Sequence, residues 1–225
     1  MKIDYTIEEV RPNVFAVIVK DHYHRAMLFL RVQEYYESPN PEFRDKNFNI
    51  WDYIEWYSRR NKDVFTYAFD WGGFNIPLKT AWSCYEKLKE HESPYDKEME
   101  SIIRTIEMKM FNKKNTRNWN AYIIGAPSLD DDTFEHEVCH GLYATNKEYR
   151  ELVDEVTIAI PFKDYQTFRK NLLKMGYNGI VIDDEIQAYL STNYEYSKFS
   201  KGVSKKLCKE LHKQYKQIFN RYESI

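Results

Sequence analysis

Residues 14–19, Val-Phe-Ala-Val-Ile-Val, form an unbroken and mostly β-branched apolar run that predicts a buried strand. Residues 24–36 mix aromatics with helix formers, and their apolar positions fit the helical and the strand period equally well. Ile50, Tyr53, Ile54 and Tyr57 recur at spacings of three and four and predict a helix over residues 49–57. Residues 64–69 read as a strand and Asp70-Trp71-Gly72-Gly73 as a turn. Pro77 opens a helix running to about residue 90. Met99, Ile102, Ile103, Ile106 and Met110 line one face of a further helix over residues 96–111, before a loop at 113–116.

The second half is patterned more clearly. Residues 119–125 predict a short strand closed by Gly125-Ala126-Pro127. Asp130, Asp131, Asp132 and Thr133 supply N-cap oxygens and negative charge for a helix over residues 133–143. A helix at 147–154, a strand at 156–160 and a helix at 164–174 follow. Gly176, Asn178 and Gly179 mark turns around residues 180–182, and Glu185 begins another helix through residue 190. Val203, Leu207, Leu211, Tyr215, Ile218, Phe219 and Tyr222 form one stripe of a long amphipathic C-terminal helix. The expected class is α+β. Residues 1–117 form an N-terminal α/β part sharing one core with the rest, 118–200 a second part, and 201–225 the terminal helix.

Composition narrows the function. Of 225 residues, 43% are apolar and 16% aromatic, enough for a packed interior. Lys and Arg number 33 against 35 Asp and Glu, so the net charge of −2 lacks the basic excess of a nucleic-acid binder and the imbalance of a disordered chain. The first residues show no apolar leader, and the longest apolar runs, 14–19 and 26–30, fall far short of a membrane span. Cys84, Cys139 and Cys208 are odd in number and widely spaced, so the expected compartment is the reducing cytoplasm.

The chemistry concentrates at Phe134-Glu135-His136-Glu137-Val138-Cys139-His140, which contains a His-Glu-x-x-His pentapeptide. Residues four apart on a helix share a face, with Cβ atoms about 5–6 Å apart, so the two imidazoles can converge on one metal ion. Glu137, on the adjacent position, is placed to take a proton from an attacking water. Nitrogen ligands on a helix suit zinc, and a catalytic zinc needs a third protein ligand and one open position. In a chain with six His, a chance match is on the order of 1%. The plain alternative is a helix with two surface histidines and an intrahelical charge pair.

With these residues the sequence resembles the zincin metallopeptidases, and among them the gluzincins. That resemblance implies a zincin-like fold, a Zn2+ cofactor held by His136 and His140 with a Glu from a later helix, and a peptide or protein substrate. Tyr143 and Asn146 stand where the metzincin pattern would require Gly and His, which excludes that subgroup. Glu185-Ile186-Gln187-Ala188 resembles the start of the gluzincin ligand helix, with Glu185 as the ligand; Glu155 is the rival candidate. Many relatives carry a carboxylate at the position of Tyr189 to orient an active-site His, so Asp184 or a backbone carbonyl would have to substitute here. Tyr189 and Tyr194 are candidate donors to an oxyanion. The resemblance further implies a strand at the cleft edge ahead of the motif helix, which residues 119–125 match. It covers about residues 118–195.

Other features have simpler readings. His22-Tyr23-His24 reads as a solvated turn, Cys139 as core, and Lys201, Lys205, Lys206, Lys209, Lys213, Lys216 and Arg221 as the solvated face of the C-terminal helix. The expected function is zinc-dependent peptide-bond hydrolysis. The alternatives are a catalytically silent zincin-like domain that binds a protein partner, and a nucleic-acid-associated protein using the basic tail, which the near-neutral charge argues against. Oligomeric state has no signature in the sequence.

Overall fold

The computed structural model describes residues 3–88, 93–114, 120–192 and 198–222. The chain divides into two compact units, Met1–Phe134 and Glu135–Ile225. It is α+β: ten helices and a four-stranded mixed sheet among the described residues.

In the first unit, β1 (Thr6–Arg11) turns through Asn13 at a positive φ of 68° and pairs antiparallel with β2 (Val14–Ile18). The register slips between Glu9 and Arg11 of β1. β2 continues parallel to β4 (Tyr122–Ala126), with Phe15 opposite Ile123 and Val17 opposite Gly125. β3 (Phe74–Pro77) completes the sheet antiparallel to β4, giving the order β1-β2-β4-β3. β4 is fully buried, as a central strand should be, and both its neighbours are in place. The cleft-edge role expected of residues 119–125 is therefore corrected: a strand paired on both sides has no edge to offer a peptide. Trp119 lies outside the described residues.

α1 (His22–Glu37) is capped by Asp21, whose carboxylate accepts from the His24 N–H at 2.7 Å. It packs against β3, β4 and three helices of this unit, α3 (Tyr67–Asp70), α4 (Leu78–Glu86) and α5 (Pro94–Lys114). Residues 25–35 are consequently buried all round, which is why their pattern shows no single apolar face. Phe29 of α1 stacks on Phe74 with ring centroids 5.2 Å apart and lies directly over Gly125. A Cβ at Gly125 would meet Phe29 Cε2 at 2.5 Å, so only glycine lets helix and strand approach this closely. Ionisable groups also enter the core. Arg31 forks onto Asp96 at 2.7 and 3.3 Å and donates to the Phe48 carbonyl. Glu34, beside Ser38, Tyr53 and Tyr67, is pushed up to about 7 by burial, against the pull of those hydroxyls.

α2 (Ile50–Arg60) is capped by Asn49 and buries Ile50 and Tyr53. The predicted strand at 64–69 is instead irregular chain leading into α3. The Phe69 and Asp70 N–H groups donate to the Thr66 carbonyl, while Tyr67 is drawn into rings from Tyr53, Tyr57, Phe65 and Phe74.

The described residues of the second unit form helices and turns with no strand. They comprise α6 (Asp132–Thr145, which starts at the unit boundary), α7 (Lys147–Ile158), α8 (Phe162–Met175), α9 (Ile182–Thr192) and α10 (Lys205–Tyr222). α9 is central, with α7, α8 and α10 packed around it. The predicted strand at 156–160 is corrected to the end of α7. Val153 and Thr157, four apart, share its buried face, and the Thr157 hydroxyl meets the Tyr215 hydroxyl of α10 at 2.9 Å. α10 buries Cys208, Leu211, Tyr215, Ile218, Phe219 and Tyr222 and leaves Lys205, Lys206, Lys209 and Lys213 exposed. No helix among the described residues is long and apolar enough to cross a membrane.

Candidate metal centre

Two helix starts position the site. Asp131 Oδ1 accepts from the Thr133 N–H at 2.8 Å, opening α6 so that His136 and His140 fall one turn apart on one face. Phe134, Val138, Cys139 and Leu142 are buried and fix the rotation of that helix. At the other start, Gly176 (φ 105°) ends α8 in the left-handed conformation. Asn178 then accepts from the Ile180 N–H, and α9 begins with Asp183, Asp184 and Glu185 in its first turn, where the helix dipole favours negative charge. Glu185 is buried because α9 is surrounded, and not because of any pattern in its own turn.

These elements bring His136, His140 and Glu185 together, with one ligand atom from each within 4.8 Å of the others. The Nε2 atoms of the two histidines are 3.2 Å apart. Glu185 presents one oxygen to each: Oε1 lies 3.6 Å from His140 Nε2 and Oε2 lies 3.7 Å from His136 Nε2. Glu185 Oε2 is buried without a hydrogen-bond partner, a costly position for a carboxylate oxygen unless a cation faces it. The group could therefore hold a metal ion.

Around this core, Asp184 Oδ1 sits 2.9 Å from His140 Nδ1. Burial by itself would lower the His140 imidazole, but Asp184, Glu185 and Glu137 outweigh it and raise the group well above its usual value. Glu137 is buried, and its charge reaches His140, Tyr177 and Tyr189. The Tyr189 ring stands edge-on to His136 at 4.8 Å, and its hydroxyl meets that of Tyr177 at 2.8 Å. Burial, with Glu185 and Glu137 nearby, pushes the Tyr189 phenol up to about 12.

Compared with protein-family models, with curated proteins and with solved structures, the chain matches none. The functional reading thus rests on the geometry above.

Glu155, the rival third ligand, is exposed on α7 and lies outside the cluster. Tyr194 lies outside the described residues. Cys139 is buried beside Tyr149 and Ser191, where burial pushes its thiol up. Tyr177 belongs to the site although nothing in the local pattern marks it. It follows the Gly176 turn, and only the return of the chain into α9 places it against Tyr189.

Proposed function

We propose that the chain is a zinc-dependent peptide-bond hydrolase with a zincin-like site, in which His136, His140 and Glu185 hold the metal. The observation that carries this reading is the mutual spacing of the three donors. Tetrahedral zinc with Zn–N bonds of about 2.0–2.1 Å separates two nitrogens by about 3.3–3.4 Å, and the two Nε2 atoms stand 3.2 Å apart. Two imidazoles and one carboxylate suit zinc better than calcium or magnesium, which take oxygen ligands. Zinc bound there supplies Lewis-acid polarisation of a carbonyl and a more acidic water.

The chain's own residues do the rest. Glu137, buried next to the histidine pair, accepts the proton of the attacking water and returns it to the leaving amine. Asp184 pairs with the Nδ1 side of His140, which leaves Nε2 turned towards His136 and Glu185. Tyr189, its hydroxyl held by Tyr177, donates to the developing oxyanion.

The test combines metal analysis with peptide hydrolysis. Purified protein should contain one equivalent of zinc and cleave members of a mixed peptide library. Glu137→Gln should keep the zinc and lose about 10²–10⁴-fold in rate. A chain that takes up no zinc, or a Gln variant as active as wild type, would refute the reading.

A further inference from the structure

We propose that Gln187 and Tyr149 are positioning residues for the metal centre, acting through a chain of hydrogen bonds that ends on Asp184, the carboxylate paired with His140. This inference rests on the metal-site reading above. The Tyr149 hydroxyl of α7 donates to Gln187 Oε1 of α9 at 2.8 Å. Gln187 Nε2 donates to Asp184 Oδ1 at 2.9 Å, one helical turn back along α9. The same Asp184 oxygen faces His140 Nδ1 of α6 at 2.9 Å. Three helices are thereby joined through four side chains.

The direction of the chain follows from the donor and acceptor inventory. The Asp184 carboxylate selects the amide orientation that turns the NH2 end towards it, and the Tyr149 hydroxyl then donates to the amide oxygen. The opposite orientation would set a carbonyl oxygen against a carboxylate oxygen. Asp184 is an acceptor only, so the His140 nitrogen beside it carries hydrogen, and the neutral ring, the form that ligates a metal, then has its lone pair on Nε2. That nitrogen is the one facing His136 Nε2 and Glu185. Tyr149 and Gln187 are fully buried and His140 is 1% exposed, so the contact between the first two is closed to water, while the half-buried Asp184 links them to the imidazole. An uncharged amide buried in the middle of a helix would otherwise be a poor occupant of the position, where Leu or Met would pack as well.

Zinc affinity, measured by competition with a chelating dye, tests the chain. Gln187→Leu should weaken binding by about 10-fold or more, the range found when groups that orient metal ligands are removed. Tyr149→Phe, which deletes one oxygen and is the safer variant for folding, should weaken it several-fold. On an Asp184→Ala background neither change should add more than about twofold, because the link to His140 is already cut. In the cobalt-substituted protein the exchangeable Nδ1 proton of His140 should give a protected, paramagnetically shifted signal in wild type. In Gln187→Leu it should broaden into solvent exchange, an effect that altered packing alone would not produce. A wild-type chain without metal uptake would overturn the site reading and this inference with it. Normal uptake in wild type with unchanged affinity in Gln187→Leu and Tyr149→Phe, or losses that simply add to that of Asp184→Ala, would overturn this inference alone.

Discussion

Replacing Gly125 with alanine adds one methyl group at the point where α1 crosses the sheet. The new Cβ would sit 2.5, 2.7 and 3.0 Å from Cε2, Cζ and Cδ2 of Phe29, whereas carbon atoms in contact prefer about 3.5–4.0 Å. The ring must therefore retreat by roughly 1 Å. It has nowhere to go, since Phe29 is fully buried and stacked on Phe74. Overpacking of this kind typically costs about 1–3 kcal/mol, and removing a glycine from a strand interior returns about 0.5–1 kcal/mol. A net loss of about 1–2 kcal/mol is expected, read as a lower urea midpoint with an unchanged slope. Phe29→Leu opens room at the same spot at a cost of its own. The double variant should therefore lose less than the sum of the single losses by about 1 kcal/mol or more. A Gly125→Ala protein as stable as wild type, or strictly additive losses, would show that the approach of Phe29 does not limit this core.

Glu34→Gln should change how stability depends on pH. Because burial raises the folded-state value to about 7 from an ordinary 4.5, the native state binds the proton more tightly. Stability is complete below the unfolded value and declines as pH rises through the folded one. The Gln variant should lack this decline and gain up to roughly 3 kcal/mol over wild type by pH 8, as seen in paired urea melts at pH 5 and pH 8; parallel pH trends would refute it. Asp96→Ala leaves the Arg31 guanidinium buried without its carboxylate, and a loss of about 3–5 kcal/mol in the same assay is expected. Glu185→Ala should weaken zinc binding at least about tenfold while exposed Glu155→Ala changes it little; the reverse order in a dye competition would move the ligand to α7.

What the sequence made legible depended on how many sides of each element are covered. α2 and α10 have one buried face, and the spacing of Ile50 and Tyr53, or of Leu211, Tyr215 and Phe219, marks it directly. α1 is covered on all sides, so no stripe survives. Residues 156–160 look like a strand because Val156, Ile158 and Ile160 alternate, yet Ile158 is exposed and the buried pair is Val153 and Thr157. β1 was missed because its residues are mostly polar, and β3 because four residues give too short a period to read. At the site, His136, Glu137 and His140 are legible because their geometry is local to one helix. Asp184 and Glu185 announce themselves as acids at a helix start. Tyr177, Gln187 and Tyr149 act across helices, and no local spacing encodes that.

The two outer strands of the sheet also decide how this chain meets its own copies. β1 carries Glu8 and Glu9 exposed and a register slip just after them, and β3 spans only four residues and stops at Pro77. Charge, irregular register, shortness and proline are the features that deny an incoming strand a continuous ladder of free backbone groups. The apolar strands that could aggregate, β2 and β4, are both interior. Strand-to-strand aggregation should therefore start only after the β1–β2 hairpin has opened, which makes it a process of the partly unfolded chain and not of the native one.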